Sequence, residues 1–147
     1  MSYGSEGIKY GLRAMLASDI IQVVILMQRL SKYDPGGVNE HWAQEYLRQH
    51  NECVVATDRH GQVLGFGSVM YYMKPRGGLQ AYLEDIVVAE TSQNQGIGSS
   101  IVSYLVNKAR IAGAYRIVLT CSIENLAFYR KQGFESCEVA MKMVLDE

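Results

Sequence analysis

The feature that most constrains this chain is a strand running through a glycine turn into a long helix. Residues 83–88, Leu-Glu-Asp-Ile-Val-Val, read as the strand, and Gln93-Asn94-Gln95-Gly96-Ile97-Gly98 forms the turn. Ile101, Val102, Leu105, Val106, Ala109 and Ala112 then recur at helical spacing as far as Gly113. Such a junction leaves several backbone N–H groups pointing outward beside the positive end of the helix dipole. Phosphate is their natural guest. Gly96 and Gly98 permit close approach of the chain and any positive φ the turn requires, and Ser99 and Ser100 add hydroxyl donors. The turn lacks both the Lys-Ser/Thr of a P-loop and the third glycine of a dinucleotide fingerprint, so on spacing alone a plain helix-entry turn explains it equally well.

The remaining elements fall around this unit. Strands are expected at 8–15, 53–57, 63–73, 81–88, 115–121 and 138–145, and helices at 20–30, 39–49, 101–112 and 125–132. Ser18 and Asp19 offer capping oxygens to the first helix. Strands 53–57 and 63–73 flank the turn 58–62 and make an antiparallel hairpin. With 147 residues, 48% hydrophobic content and no linker or repeat, the chain reads as one α/β domain spanning 1–147. Fourteen basic and fifteen acidic residues give no field that would draw it to nucleic acid or an anionic membrane. Cys53, Cys121 and Cys137 have neither disulfide-framework nor metal-ligand spacing, so no metal is expected. The ends carry no recognisable address signal, and a reducing, cytoplasmic setting fits best.

Two motifs together resemble a known family. Gln93-x-x-Gly96-x-Gly98 resembles the acetyl-CoA pyrophosphate loop of the GNAT acetyltransferase superfamily, and Asn125-Leu-Ala-Phe128-Tyr129-x-x-x-Gly133-Phe134 resembles its downstream signature. Order and spacing both match. The resemblance implies a mixed central sheet of about six to seven strands flanked by helices, with two central parallel strands, 83–88 and 116–121, parted to admit the pantetheine arm. Within the superfamily, Glu84-Asp85-Ile86-Val87-Val88, Tyr115-Arg116 and the closing Glu138-Val-Ala-Met141 are similar to the eukaryotic glucosamine 6-phosphate N-acetyltransferases of UDP-N-acetylglucosamine biosynthesis.

From that resemblance follow candidate roles. Acetyl-CoA is the implied cosubstrate, held by Ile86, Val88, Gln93, Asn94, Gln95, Gly96, Ile97, Gly98, Ser99, Asn125 and Tyr129. The Ile86 N–H would hold the thioester oxygen, and the Tyr129 phenol would protonate the departing thiolate. Glu84 and Asp85, alternately directed on their strand, are candidates for receiving the amine's proton; the resemblance implies a further acid before the cysteine of Leu-x-Cys, where this sequence has Thr120, which leaves the base open. A sugar phosphate needs cations and hydroxyls, for which Ser31, Lys74, Arg76, Tyr115, Arg116 and Lys142 are candidates, with Glu84, Asp85 and Ile86 completing the acceptor side. His41, His50 and His60 have no partner spacing for catalysis. The resemblance further implies a homodimer joined through the closing strands. A protein amine, a polyamine, or a silent acetyl-CoA-binding module are the competing readings.

Overall fold

Cys53, Val54, Val55 and Ala56 are buried one after another. A strand with one face in water alternates, so four consecutive buried residues demand a sheet covered on both sides. The computed structural model, which describes residues 9–49 and 52–146, places this strand, β2 (Glu52–Asp58), in a five-stranded sheet. The others are β1 (Tyr10–Ala14), β3 (Val63–Met73), β4 (Leu79–Val88) and β5 (Arg116–Leu119), in spatial order β1-β2-β3-β4-β5. The first four are antiparallel neighbours, whereas β4 and β5 are parallel. Parallel neighbours need a crossover. It contains α3 (Ile97–Ile111), and α1 (Ile20–Met27), α2 (Glu40–Gln49) and α4 (Leu126–Lys131) complete the α-helices.

Alternation along β2 splits the core into two layers. Val54 and Ala56 join Leu64, Val69, Ala81 and Leu83 beneath Ile97, Ile101, Val102, Leu105 and Ala109 of α3. Cys53 and Val55 face the other way, with Phe66 and Val87, against Ile20, Val23 and Leu26 of α1 and Ala43 of α2. The entry to α1 is pinned by Asp19, whose buried carboxylate accepts from the Leu16 N–H at 2.8 Å and from both Arg13 Nη atoms at 2.7 and 2.8 Å. Hydrogen bonding from Arg13, against the opposing effect of burial, holds that carboxyl below its usual range.

Three sequence expectations need correction. The sheet has five strands rather than six to seven. Residues 138–146 form no strand or helix despite their alternation, and Val139, Met141 and Met143 are 89%, 94% and 83% exposed. Periodicity alone does not make a strand: pairing decides it, and this segment pairs with no strand of the described residues. Finally, the parallel pair sits at the sheet's edge, and β5 stops at Leu119 rather than Cys121. Register runs from Gln80↔Arg116 to Leu83↔Leu119, so 84–88 continue with β3 on one side and no β5 on the other. The anticipated parting of strands therefore corresponds to a β5 too short to follow β4. The expected strand start at Ile8, the opening residues read for a leader, His50 and the final Glu147 lie outside the described residues. Among the described residues no helix is long and apolar enough to cross a membrane.

Candidate active site

Three residues of β4 are accommodated where β3 spends two: Ser68 faces Glu84, but Phe66 faces Val87. That is a β-bulge, and its extra residue is Asp85, held at φ 57°. A left-handed conformation costs a residue with a Cβ about 1 kcal/mol, least for Asp and Asn, so the surroundings must enforce it. The bulge restores Ile86 to the α3 side already occupied by Leu83, three residues back, while Asp85 is exposed. Beneath it the buried Ser68 hydroxyl donates to the Glu84 carbonyl at 3.1 Å. The Tyr46 phenol neighbours both Ser68 and Cys53. Burial, reinforced by the nearby Asp85 charge, raises that phenol well above its ordinary value and pushes the Cys53 thiol up to about 11. Both stay protonated at neutral pH, so Cys53 is no nucleophile.

Beyond Leu83, where β4 has lost its parallel partner, a groove of about 500 Å³ opens. Ile86 and Val88 form one wall, Gln93, Asn94, Gly96, Ile97, Gly98 and Ser99 the end of the glycine turn, and Asn125 and Tyr129 the far side. Ten of the eleven residues expected to hold the cosubstrate thus share one groove; Gln95 does not line it. Asn94 at φ 62° and Gly96 at φ 80° shape the turn, Gly96 serving as N-cap of the fifteen-residue α3. The first α3 amide to find a backbone acceptor in the turn is Ser100, bonded to the Gly96 carbonyl at 3.0 Å. Those of Ile97, Gly98 and Ser99 precede the helical ladder. Tyr10 of β1 fixes the turn from behind, its hydroxyl sharing a hydrogen bond with Ser100 Oγ at 2.6 Å and donating to the Gly96 carbonyl at 3.3 Å. Gln132 donates to Ser99 Oγ at 2.8 Å, leaving the Ser99 O–H to donate elsewhere.

A second cavity, about 610 Å³, lies on the other side of Tyr129, bounded by Gln80, Tyr82, Arg116, Thr120 and Cys121 and by the start of the closing segment. Tyr129 lines both cavities. Its ring is held edge-on by Phe128 and Phe134, at centroid distances of 4.9 and 5.9 Å, and burial raises its pKa. Thr120, the position where an acid was expected, shares a 2.6 Å hydrogen bond with the Tyr82 hydroxyl.

Three of the four expected cations, Lys74, Arg76 and Arg116 but not Lys142, act on Tyr115 at the outer end of the β4–β5 pair. The Arg76 Nη2 donates to the Tyr115 hydroxyl at 3.1 Å, that hydroxyl donates to Gln80 Oε1 at 3.2 Å, and Arg116 Nε donates to the same oxygen at 2.9 Å. Both guanidiniums lie over the Tyr115 ring at 5.9 and 5.8 Å. The hydrogen bond from Arg76, then the charges of Arg76, Arg116 and Lys74, lower the Tyr115 pKa. Ser31, Lys74, Arg76, Tyr115 and Lys142 line neither cavity, nor do Glu84 and Asp85; Arg116 alone of the candidate cations reaches one. Sequence reasoning missed Tyr10, Arg29, Ser68, Gln80 and Tyr82. Each acts across a sequence separation of 16 to 90 residues, and no local pattern announces such contacts.

Comparison with known proteins agrees with this arrangement. The Acetyltransferase (GNAT) family profile matches residues 23–134. A glucosamine 6-phosphate N-acetyltransferase from Trypanosoma brucei brucei is 33% identical over 139 residues, covering 91% of this chain and 95% of that one. One from Arabidopsis thaliana is 30% identical over 105 residues, 70% of each. The crystal structure of glucosamine-6-phosphate N-acetyltransferase from Arabidopsis thaliana superposes with a TM-score of 0.82 at 25% identity, over 94% of this chain and 99% of that one. With the family profile over most of its length, the chain belongs to the GNAT acetyltransferase family, whose members use acetyl-CoA.

Proposed function

We propose that this acetyltransferase moves acetyl from acetyl-CoA directly to the amine of D-glucosamine 6-phosphate, giving N-acetylglucosamine 6-phosphate and coenzyme A. The observation that carries the reading is Tyr129, which borders both the groove beside β4 and the cavity beside β5. A donor thioester on one side and an acceptor amine on the other would meet at its hydroxyl. The fit to a diphosphate rests on the α3 amides, the left-handed Gly96 and the Ser99 hydroxyl. The whole chain 1–147 acts as one domain in this reading.

In this mechanism the Ile86 N–H polarises the thioester carbonyl, a preorganised donor worth about 3 kcal/mol in comparable sites. Asn125 and the backbone of Val88 orient the arm, and Gln93 to Ser99 hold the diphosphate. As the C–N bond forms and the C–S bond breaks, Tyr129 gives its proton to the sulfur. The ammonium proton passes to Glu84 or Asp85, directly or through water. Thr120 cannot take it, having no basic form at neutral pH. The phosphate of the acceptor is met by the cluster Lys74, Arg76 and Arg116 with Tyr115, while Ser31 contacts the sugar. A cytoplasmic setting agrees with the three unpaired thiols Cys53, Cys121 and Cys137.

The expected acceptor profile is testable. With acetyl-CoA and a panel of amino sugars, polyamines and peptides, thiol release should be fastest with glucosamine 6-phosphate, and at least about tenfold slower with unphosphorylated glucosamine, the scale of one lost charge-assisted contact. Equal rates for the two sugars would remove the sugar-phosphate assignment, and preference for a polyamine or peptide would replace it.

A homodimer belongs to the same reading. Residues 138–146 carry strand-like alternation with their apolar side chains exposed, beside the unpaired edge of β5. A second copy offers that segment an edge and a cover, and brings Lys142 toward the neighbour's acceptor site. Sedimentation should find a dimer for the intact chain and a monomer for one ending at Cys137. Identical masses per particle would discard the arrangement.

A further inference from the structure

The glycine turn supplies dipoles but no charge. Among the described residues lining the groove beside β4, the only charged side chain is Arg29, from the turn that follows α1. Its position is not accidental packing. Arg29 Nη1 donates to the Val88 carbonyl at the end of β4. With the Gln93 amide turned so that its oxygen faces the guanidinium, that oxygen accepts from Nη1 at 2.8 Å and from Nη2 at 2.7 Å. The exposed guanidinium therefore spends its donors on two neutral acceptors, both on residues assigned above to the cosubstrate.

We propose that Arg29 is a coenzyme-binding residue: in the unliganded protein it bridges Val88 and Gln93, and on binding it exchanges these neutral acceptors for oxygens of the coenzyme's diphosphate. The inference rests on the acetyl-CoA reading of this groove and deepens it. A guanidinium's planar fork matches two phosphoryl oxygens, and a charged acceptor outcompetes an amide or peptide oxygen for it. Its departure also uncovers the Val88 carbonyl for an amide N–H of the pantetheine arm. Arg29 thus clears one part of the groove by being drawn to another, and binding of the arm and of the diphosphate become coupled.

Isothermal titration with coenzyme A and with pantetheine, which lacks the diphosphate, separates this from a structural role. R29Q is expected to bind coenzyme A roughly tenfold or more weakly at low salt, with a flatter salt dependence, while binding pantetheine at least as well as the unaltered protein. R29K should keep the salt dependence and recover only part of the affinity, since it retains the charge without the fork. Unchanged coenzyme A affinity in R29Q, or an equal loss toward pantetheine, overturns the proposal. If circular dichroism shows R29Q unfolded, R29K decides alone: weaker coenzyme A binding with unchanged pantetheine binding supports it, and identical coenzyme A affinity overturns it. An unaltered protein that binds no coenzyme A at all would instead refute the acetyl-transfer reading beneath it.

Discussion

Replacing Tyr129 by Phe is expected to slow acetyl transfer about a hundredfold while changing coenzyme A affinity no more than about threefold. The substitution keeps the ring, its edge contacts with Phe128 and Phe134 and its place between the two cavities, and deletes only the hydroxyl. A general acid lost without lost packing should appear in turnover and not in binding. The sign of the pKa shift adds a second check. Burial, then the neighbouring Cys121, raises the Tyr129 phenol above its ordinary value, so the proton-bearing form persists through neutral pH. No decline assignable to this residue should therefore appear near neutral pH in the unaltered enzyme. Single-turnover rates across pH read both effects. An unchanged rate in Tyr129→Phe, or a Tyr129-dependent decline near neutral pH, would remove it as the acid.

What could be read from the sequence was whatever is written in consecutive residues. The glycine turn, the α3 stripe and the 63–73 strand are local patterns, and the structure has each of them, β3 with the expected bounds of Val63–Met73. Most of the groove followed because its lining, Arg29 and Leu30 apart, comes from three short stretches, Ile86 to Val88, Ser92 to Ser99 and Asn125 to Tyr129, that one motif order already linked. Illegible features share a different origin. Residues 138–146 have the periodicity of a strand, but pairing depends on an edge that no sequence pattern guarantees. The Asp85 bulge is invisible because Leu-Glu-Asp-Ile-Val-Val reads as a regular strand, and only the mismatch with β3 exposes the extra residue. Arg29 carries no local signal, since only the fold brings it to Val88, 59 residues away.

Gly67→Ala should destabilise the protein by about 2 kcal/mol, though an alanine in a strand ordinarily gains about 0.5–1 kcal/mol over glycine. The reason is the closeness of α3 to the sheet. A Cβ on Gly67 would lie 2.6 Å from Ile101 Cγ2, 2.7 Å from Ile86 Cδ1 and 3.1 Å from Leu105 Cδ1. Ile86 can withdraw the end of its side chain, but the Ile101 Cγ2 is fixed one bond from a β-branched carbon on a helix, so α3 itself must lift. Overpacking of this kind costs about 1–3 kcal/mol and exceeds the propensity gain. In a chain of this length each kcal/mol lowers Tm by about 2–4 °C. The same displacement bears on function, since Ile86 lines the groove and α3 carries the glycine turn. Urea melts of Gly67→Ala, Ile101→Ala and the double variant test the cause. Ile101→Ala alone opens a cavity costing about 2–5 kcal/mol, but it also vacates the space the new methyl needs. The double variant should therefore lose less than the two single losses combined, by about 1 kcal/mol or more. A neutral Gly67→Ala, or strict additivity in the double variant, would mean that the helix does not rest on this glycine.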